Sequence, residues 1–130
     1  MTAGTTPTGI LAAAAVSDEV VALRPDYRAL LVVVSGVRGG PSDHVSDAAL
    51  RRAEDSVRRR LAGAPPETLP EIAAWREAFR AFGVKPRAAR SSVESLIRRI
   101  DAGLPRIDRL TDLYNAVSVE HLVPVGGENL

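Results

Sequence analysis

Glycine and proline cut the second half of this chain into short segments, leaving room for little except short helices joined by tight turns. Between Glu71 and Gly127 the breaks fall at Gly83, Gly103, Pro105, Pro124, Gly126 and Gly127. Glycine supplies the left-handed backbone that ends a helix, while proline lacks the N–H donor and disfavours helix before it. From Glu71 to Phe82, Ile72, Trp75, Phe79 and Phe82 recur every three or four positions. That spacing predicts a helix with its aromatic stripe in the core, terminated by Gly83. Ser91 and Glu94 have capping-box spacing, with Ser92 an alternative cap, and predict a helix from Ser92 to Ala102 that buries Val93, Leu96, Ile97 and Ile100. Arg98 and Arg99 near its end complement the helix dipole. After the Pro105 turn, Leu110, Leu113, Tyr114 and Val117 predict one more short helix.

Upstream the pattern is less regular. Ile10 to Val16 and Ala29 to Val37 are expected to be strands, the second a buried one, because its Leu-Leu-Val-Val-Val run is β-branched and bounded by Arg28 and by Gly36, Gly39 and Gly40. Ser42 or Ser46 is then expected to cap a helix running to about Leu61, with Leu50, Ala53, Val57 and Leu61 as its buried stripe. Arg51, Arg52, Arg58, Arg59 and Arg60, with Glu54 and Asp55, are expected to form its solvated face. Pro65, Pro66 and Pro70 make the next stretch a loop. The expected class is α+β: early strands in a small mixed sheet, followed by several helices, in a single domain over residues 1–130.

The chain has 130 residues, 45% of them hydrophobic and 25% charged, which is enough to bury one modest core. No cysteine is present, which excludes a disulfide framework, a thiolate metal site and a thiol nucleophile, and points to the cytoplasm. The apolar run near the N-terminus has no preceding Lys or Arg and meets Asp18 and Glu19 early, so a signal peptide is not expected. No apolar run approaches the roughly 20 residues that span a bilayer. His44 and His121 stand outside any HxxxH or HxxE pattern, and neither a GxSxG elbow nor a GxxxxGK[ST] loop occurs. No metal, cofactor, membrane or DNA partner is expected.

Net charge is +1, but residues 76–109 hold nine basic and four acidic groups while residues 110–130 hold three acidic and no basic ones. Such a segment either tracks a phosphate backbone or is a solvated helix face. Within it, Lys85, Arg87 and Arg90 form a basic loop just before a helix start, an arrangement suited to an anion. Asp112, Tyr114 and Asn115 fall within one helical turn, where they serve either as hydrogen-bonding groups for a polar small molecule or as helix caps.

Taken together, AAWREAFRAFGVKP, SSVESLIRRI, LPRIDRLTDLYNAVS and PVGG resemble the B3/B4 domain, the editing module of the phenylalanyl-tRNA synthetase β subunit, and particularly its free-standing relatives. The resemblance spans about residues 70–127. It implies a pocket for the aminoacyl end of a mischarged tRNA and hydrolysis of the ester of a wrongly attached aromatic amino acid. Asn115 matches the family's pocket asparagine and Asp112 the aspartate before it; Tyr114 replaces a small polar residue, and Gly126, beside Gly127, replaces a substrate-binding histidine. No general base is apparent, so the catalytic residues stay unassigned. A non-catalytic module that binds an aromatic amino acid or a tRNA end is the alternative. The family pattern continues into a strand-rich half absent here, which implies a homodimer, a complementary second half or a partner-dependent fragment.

Overall fold

The computed structural model describes residues 6–129, which divide into two units, residues 6–38 with Asn129, and residues 39–128. In the first unit, α1 (Pro7–Ala13) is started by Thr6, whose hydroxyl accepts from Gly9 N at 3.0 Å, and by Pro7 in the first turn. The second helix, α2, covers Asp18–Leu23. Neither helix buries a residue.

No strand occurs among the described residues, so the expected α+β class with a mixed sheet is corrected to an all-helical one. Two physical causes account for the error. Most of Ile10 to Val16 is drawn into α1 by the Thr6 cap and by alanines, the best helix formers. Ala29 to Val37 stays extended but makes no ladder, because β-branched composition favours a strand only where a second strand supplies backbone partners. The buried strand expected there is exposed instead, with Leu30 at 91% and Val32 at 70% of full accessibility.

The second unit holds the core. α3 (His44–Leu61) is followed by a 3-10 turn at Pro66–Thr68, α4 (Pro70–Ala81), α5 (Ser92–Ile97), a 3-10 turn at Ile100–Ala102 and α6 (Arg109–His121). Asp43 caps α3, neither serine doing so: its carboxylate accepts from Val45 N and Ser46 N while Ser46 Oγ accepts from Asp43 N, a reciprocal box. Leu50, Ala53, Val57 and Leu61 are buried as the spacing predicts.

α6 lies against α3, the principal helix pair of the molecule. Its buried face is Asp112, Asn115, Ala116, Ser118 and Val119, whereas Leu110 and Val117 from the expected stripe are exposed. On α3, Ser46, Ala49 and Ala53 are buried too, and Ser46 Oγ reaches Asp112 Oδ2 across the pair at 3.1 Å. Small side chains on both faces let two helices approach closely, so size and not hydrophobicity selects the packed face. Leu69, Ile72, Val93, Ile97, Ile100, Leu104 and Leu122 complete the core.

α4 ends as expected: Gly83 has φ +81°, its N–H bonds Arg80 O, and Val84 N–H bonds Phe79 O. Its aromatic stripe does not enter the core. Ile72 and Ala78 are buried, Trp75 and Phe79 are half-buried with rings 6.1 Å apart, and Phe82 is exposed. The helix expected over Ser92 to Ala102 breaks after Ile97 into a 3-10 turn. No helix among the described residues is long and apolar enough to cross a membrane.

Candidate functional site

Of the five residues assigned to a substrate pocket, Asp112 and Asn115 are buried in α6, Tyr114 is half-buried, and Gly126 and Gly127 are exposed. Asp112 is fully buried and spends both carboxylate oxygens on the fold: Oδ1 accepts from Ile107 N at 2.8 Å, and Oδ2 from Ser42 Oγ at 2.5 Å and Ser46 Oγ at 3.1 Å. It ties the segment before α6 to the start of α3. Asn115 lies one turn on, 8% accessible. Tyr114 is half-buried, with its ring against Gly127: a Cβ placed on that glycine would lie 3.4 Å from Tyr114 Cε2. Gly126 is exposed, with open space around it. The structure thus brings Tyr114 and Gly127 together.

The basic residues converge. A cleft of about 440 Å³ is lined by Arg76, Lys85, Pro86, Arg87 and Arg90. Local chemistry builds it: Pro86 sets the backbone for a turn in which Ala88 N bonds Lys85 O at 2.9 Å, and the turn presents Lys85 and Arg87 on one loop. From α4, Arg76 enters the same space. A second cleft of about 670 Å³ adjoins through Arg90, which lines both, and includes Arg58, Arg98 and Asp101 above Leu61, Ile97 and Ile100.

Glu94 organises this region. Its side chain is 1% accessible, and Arg76 reaches it with Nη2 at 2.6 Å and Nε at 3.1 Å, Arg98 with Nη2 at 3.0 Å, and Arg90 with Nε at 3.9 Å. Glu67 extends the cluster, 2.8 Å from Arg98 and 3.9 Å from Arg76. Burial pushes the Glu94 carboxyl up, but the hydrogen bonds from Arg76 and Arg98 outweigh burial and hold it below the ordinary glutamate value. Lys85 and Arg87 have no carboxylate within ion-pairing distance among the described residues, so the cleft carries more positive than negative charge at its mouth.

Three of these features escape the sequence reading. Glu94 is assigned there as the return arm of a capping box; Ser91 Oγ does accept from Glu94 N at 3.3 Å, but the carboxylate goes to the arginines. Arg90 and Arg98 stand four residues either side of Glu94, a spacing that flags the pairing. Arg76 has no local signal, because its partner is 18 positions away. Glu54, expected on the solvated face of α3, is 7% accessible and accepts from Arg106, which also binds Asp47. Among the described residues no three His, Asp or Glu side chains group as a metal site. Comparison with protein-family models, curated proteins and solved structures finds no match to this chain.

Proposed function

We propose that this chain is a non-catalytic binding module whose basic cleft takes a phosphate-bearing RNA end, of the kind a tRNA presents. The observation that carries this reading is the convergence of Lys85, Arg87, Arg90 and Arg76 on one cleft, with Lys85 and Arg87 free of carboxylate partners among the described residues. Cations without internal partners keep their full attraction for phosphate, and each contact releases counterions from the polyanion. The cluster around Glu94 supports the cleft by fixing Arg76 and Arg90 from behind. Binding without ester hydrolysis follows from the fate of the pocket residues: Asp112 is committed to three internal donors and Asn115 is buried. The lack of cysteine is consistent with a cytoplasmic protein.

Fluorescence anisotropy with an unacylated tRNA, repeated across salt concentrations, tests the reading. The double variant Lys85→Glu, Arg87→Glu is expected to bind at least tenfold more weakly and to lose on the order of 1.5 from the slope of log affinity against log salt. Unchanged affinity in that variant would remove the cleft from consideration. A parallel assay of tyrosyl-tRNA deacylation is expected to give the rate of buffer alone; turnover abolished by Asn115→Ala in a folded protein would restore the hydrolytic alternative.

A further inference from the structure

Two clefts meet at Arg90, and they differ in charge. The first carries Lys85 and Arg87, which have no carboxylate partner among the described residues. In the second, whose volume of about 670 Å³ is that of a ligand cleft, the other cations already have partners inside the protein. Arg58 donates to Ile100 O at 2.7 Å, and Arg98 pairs with Glu94 at 3.0 Å and with Glu67 at 2.8 Å. Asp101 is exposed and lines the same cleft, and its carboxylate makes no ion pair among the described residues. Leu61, Ile97, Ile100, Pro65 and Pro66 give the cleft an apolar wall beside that carboxylate.

An occupant of both clefts is anionic where it meets Lys85 and Arg87, and uncharged, partly apolar and equipped with hydroxyl donors where it meets Asp101. A phosphate in the second cleft would face a carboxylate, which disfavours it there. A nucleotide divides its chemistry in this way: a phosphate, a base for an apolar wall, and a ribose whose hydroxyls donate to a carboxylate. Along an RNA strand only the 3′-terminal ribose keeps both hydroxyls, because every internal 3′ oxygen is esterified to phosphate. Resting on the reading of the first cleft as an RNA site, we infer that the second cleft takes the 3′-terminal nucleoside of that RNA, with Asp101 accepting from its 2′ and 3′ hydroxyls. Arg90 lines both clefts and stands 3.9 Å from Glu94, so it is placed for the phosphate that joins this nucleoside to the strand. The pair of clefts then distinguishes the state of the RNA end: a free diol fits, and a 3′-phosphate meets the like charge of Asp101.

The test is fluorescence anisotropy with one single-stranded RNA, labelled at its 5′ end and finished as a free diol, a 3′-phosphate or a 2′,3′-dideoxy terminus. The full chain is expected to bind the diol form about tenfold more tightly than either of the others, the scale of hydrogen bonds to a charged acceptor. Asp101→Asn, at an exposed position that makes no internal ion pair, should keep the helical circular dichroism and bind all three ends within about twofold of one another. Equal affinity of the unsubstituted chain for the three ends overturns the inference, and so does a preference for the diol that survives Asp101→Asn. In either case the first cleft still stands as an RNA site if the Lys85→Glu, Arg87→Glu variant loses all three RNAs together. Absence of binding to any of the three by the unsubstituted chain removes both readings. Adenosine 5′-monophosphate that displaces the labelled RNA as effectively as unlabelled RNA does would assign the clefts to a free nucleotide, and also overturns the inference.

Discussion

Two buried carboxylates, Asp112 and Glu94, are held by different chemistry, and the difference is measurable residue by residue. Asp112 takes two hydroxyls and one amide, so Asp112→Ala leaves Ile107 N–H and Ser42 without this acceptor, while Ser46 keeps Asp43 O at 3.2 Å. The expected cost is about 3 kcal/mol by urea denaturation, since hydrogen bonds to charged groups are stronger than neutral ones and orphaned donors are costly. A loss below about 0.5 kcal/mol would contradict a structural role. Glu94 is held by arginines, and its value in the folded state lies below the ordinary 4.5. Its contribution to stability is therefore complete above that value and is lost as pH falls through the lower folded value. The melting temperature should hold level near neutrality and drop below about pH 4.5, and Glu94→Gln should lower it at neutral pH and flatten the acid limb. An acid limb of the same slope in both proteins would transfer the effect to other paired carboxylates such as Asp47 and Glu67. The sequence marks both positions as polar residues at helix starts. It does not reveal that they are interior, because a cap and a buried anchor need the same residue types at the same spacing, and only long-range contacts separate the two.

Helix ends give a matched pair of experiments at the scale of the element. α3 and α6 both finish on a non-glycine residue in the left-handed region, Ala62 at φ +49° and Leu122 at φ +54°. Ala62 is exposed, so Ala62→Gly relieves the strain and gives up little, with an expected gain of about 0.5 kcal/mol. Leu122 is 3% accessible within the core, so Leu122→Gly relieves the same strain but removes a buried side chain, with an expected loss of about 3 kcal/mol. Equal signs for the two substitutions would show that side-chain burial does not hold Leu122 in this conformation. The turn after α6 is also hooked by Ser118, whose hydroxyl donates to Val123 O at 2.6 Å. Elements with strong local chemistry are legible in the sequence: the stripe of α3, the Gly83 stop and the Ser91 cap. The inward face of α6 is not, because the residues it buries are mostly small or polar, and a search for apolar spacing finds Leu110 and Val117 on the exposed side instead. The α4 aromatics mislead in the same way, since their spacing gives a helix face without fixing what it packs against.

At the scale of the molecule, every buried residue among those described belongs to residues 39–128, so a fragment of that range is expected to fold alone with the helical circular dichroism of its share of the chain. Its melting temperature should fall within a few degrees of the full chain's; a fragment without a cooperative transition would mean that the first unit contributes to the core. The error in fold class belongs to this scale too: residues 29–37 have the composition of a strand, but a sheet is a property of at least two segments, and composition reports on one. The pairing of α3 with α6 has a kinetic consequence. More than forty residues separate the end of one helix from the start of the other, so the contact that dominates the core forms only after a long loop has closed. Folding should then be slower than for helical bundles whose neighbours are adjacent in sequence. Substitutions that loosen the α3–α6 seam should retard folding if that docking is the barrier, whereas those in α4 should show mainly as faster unfolding.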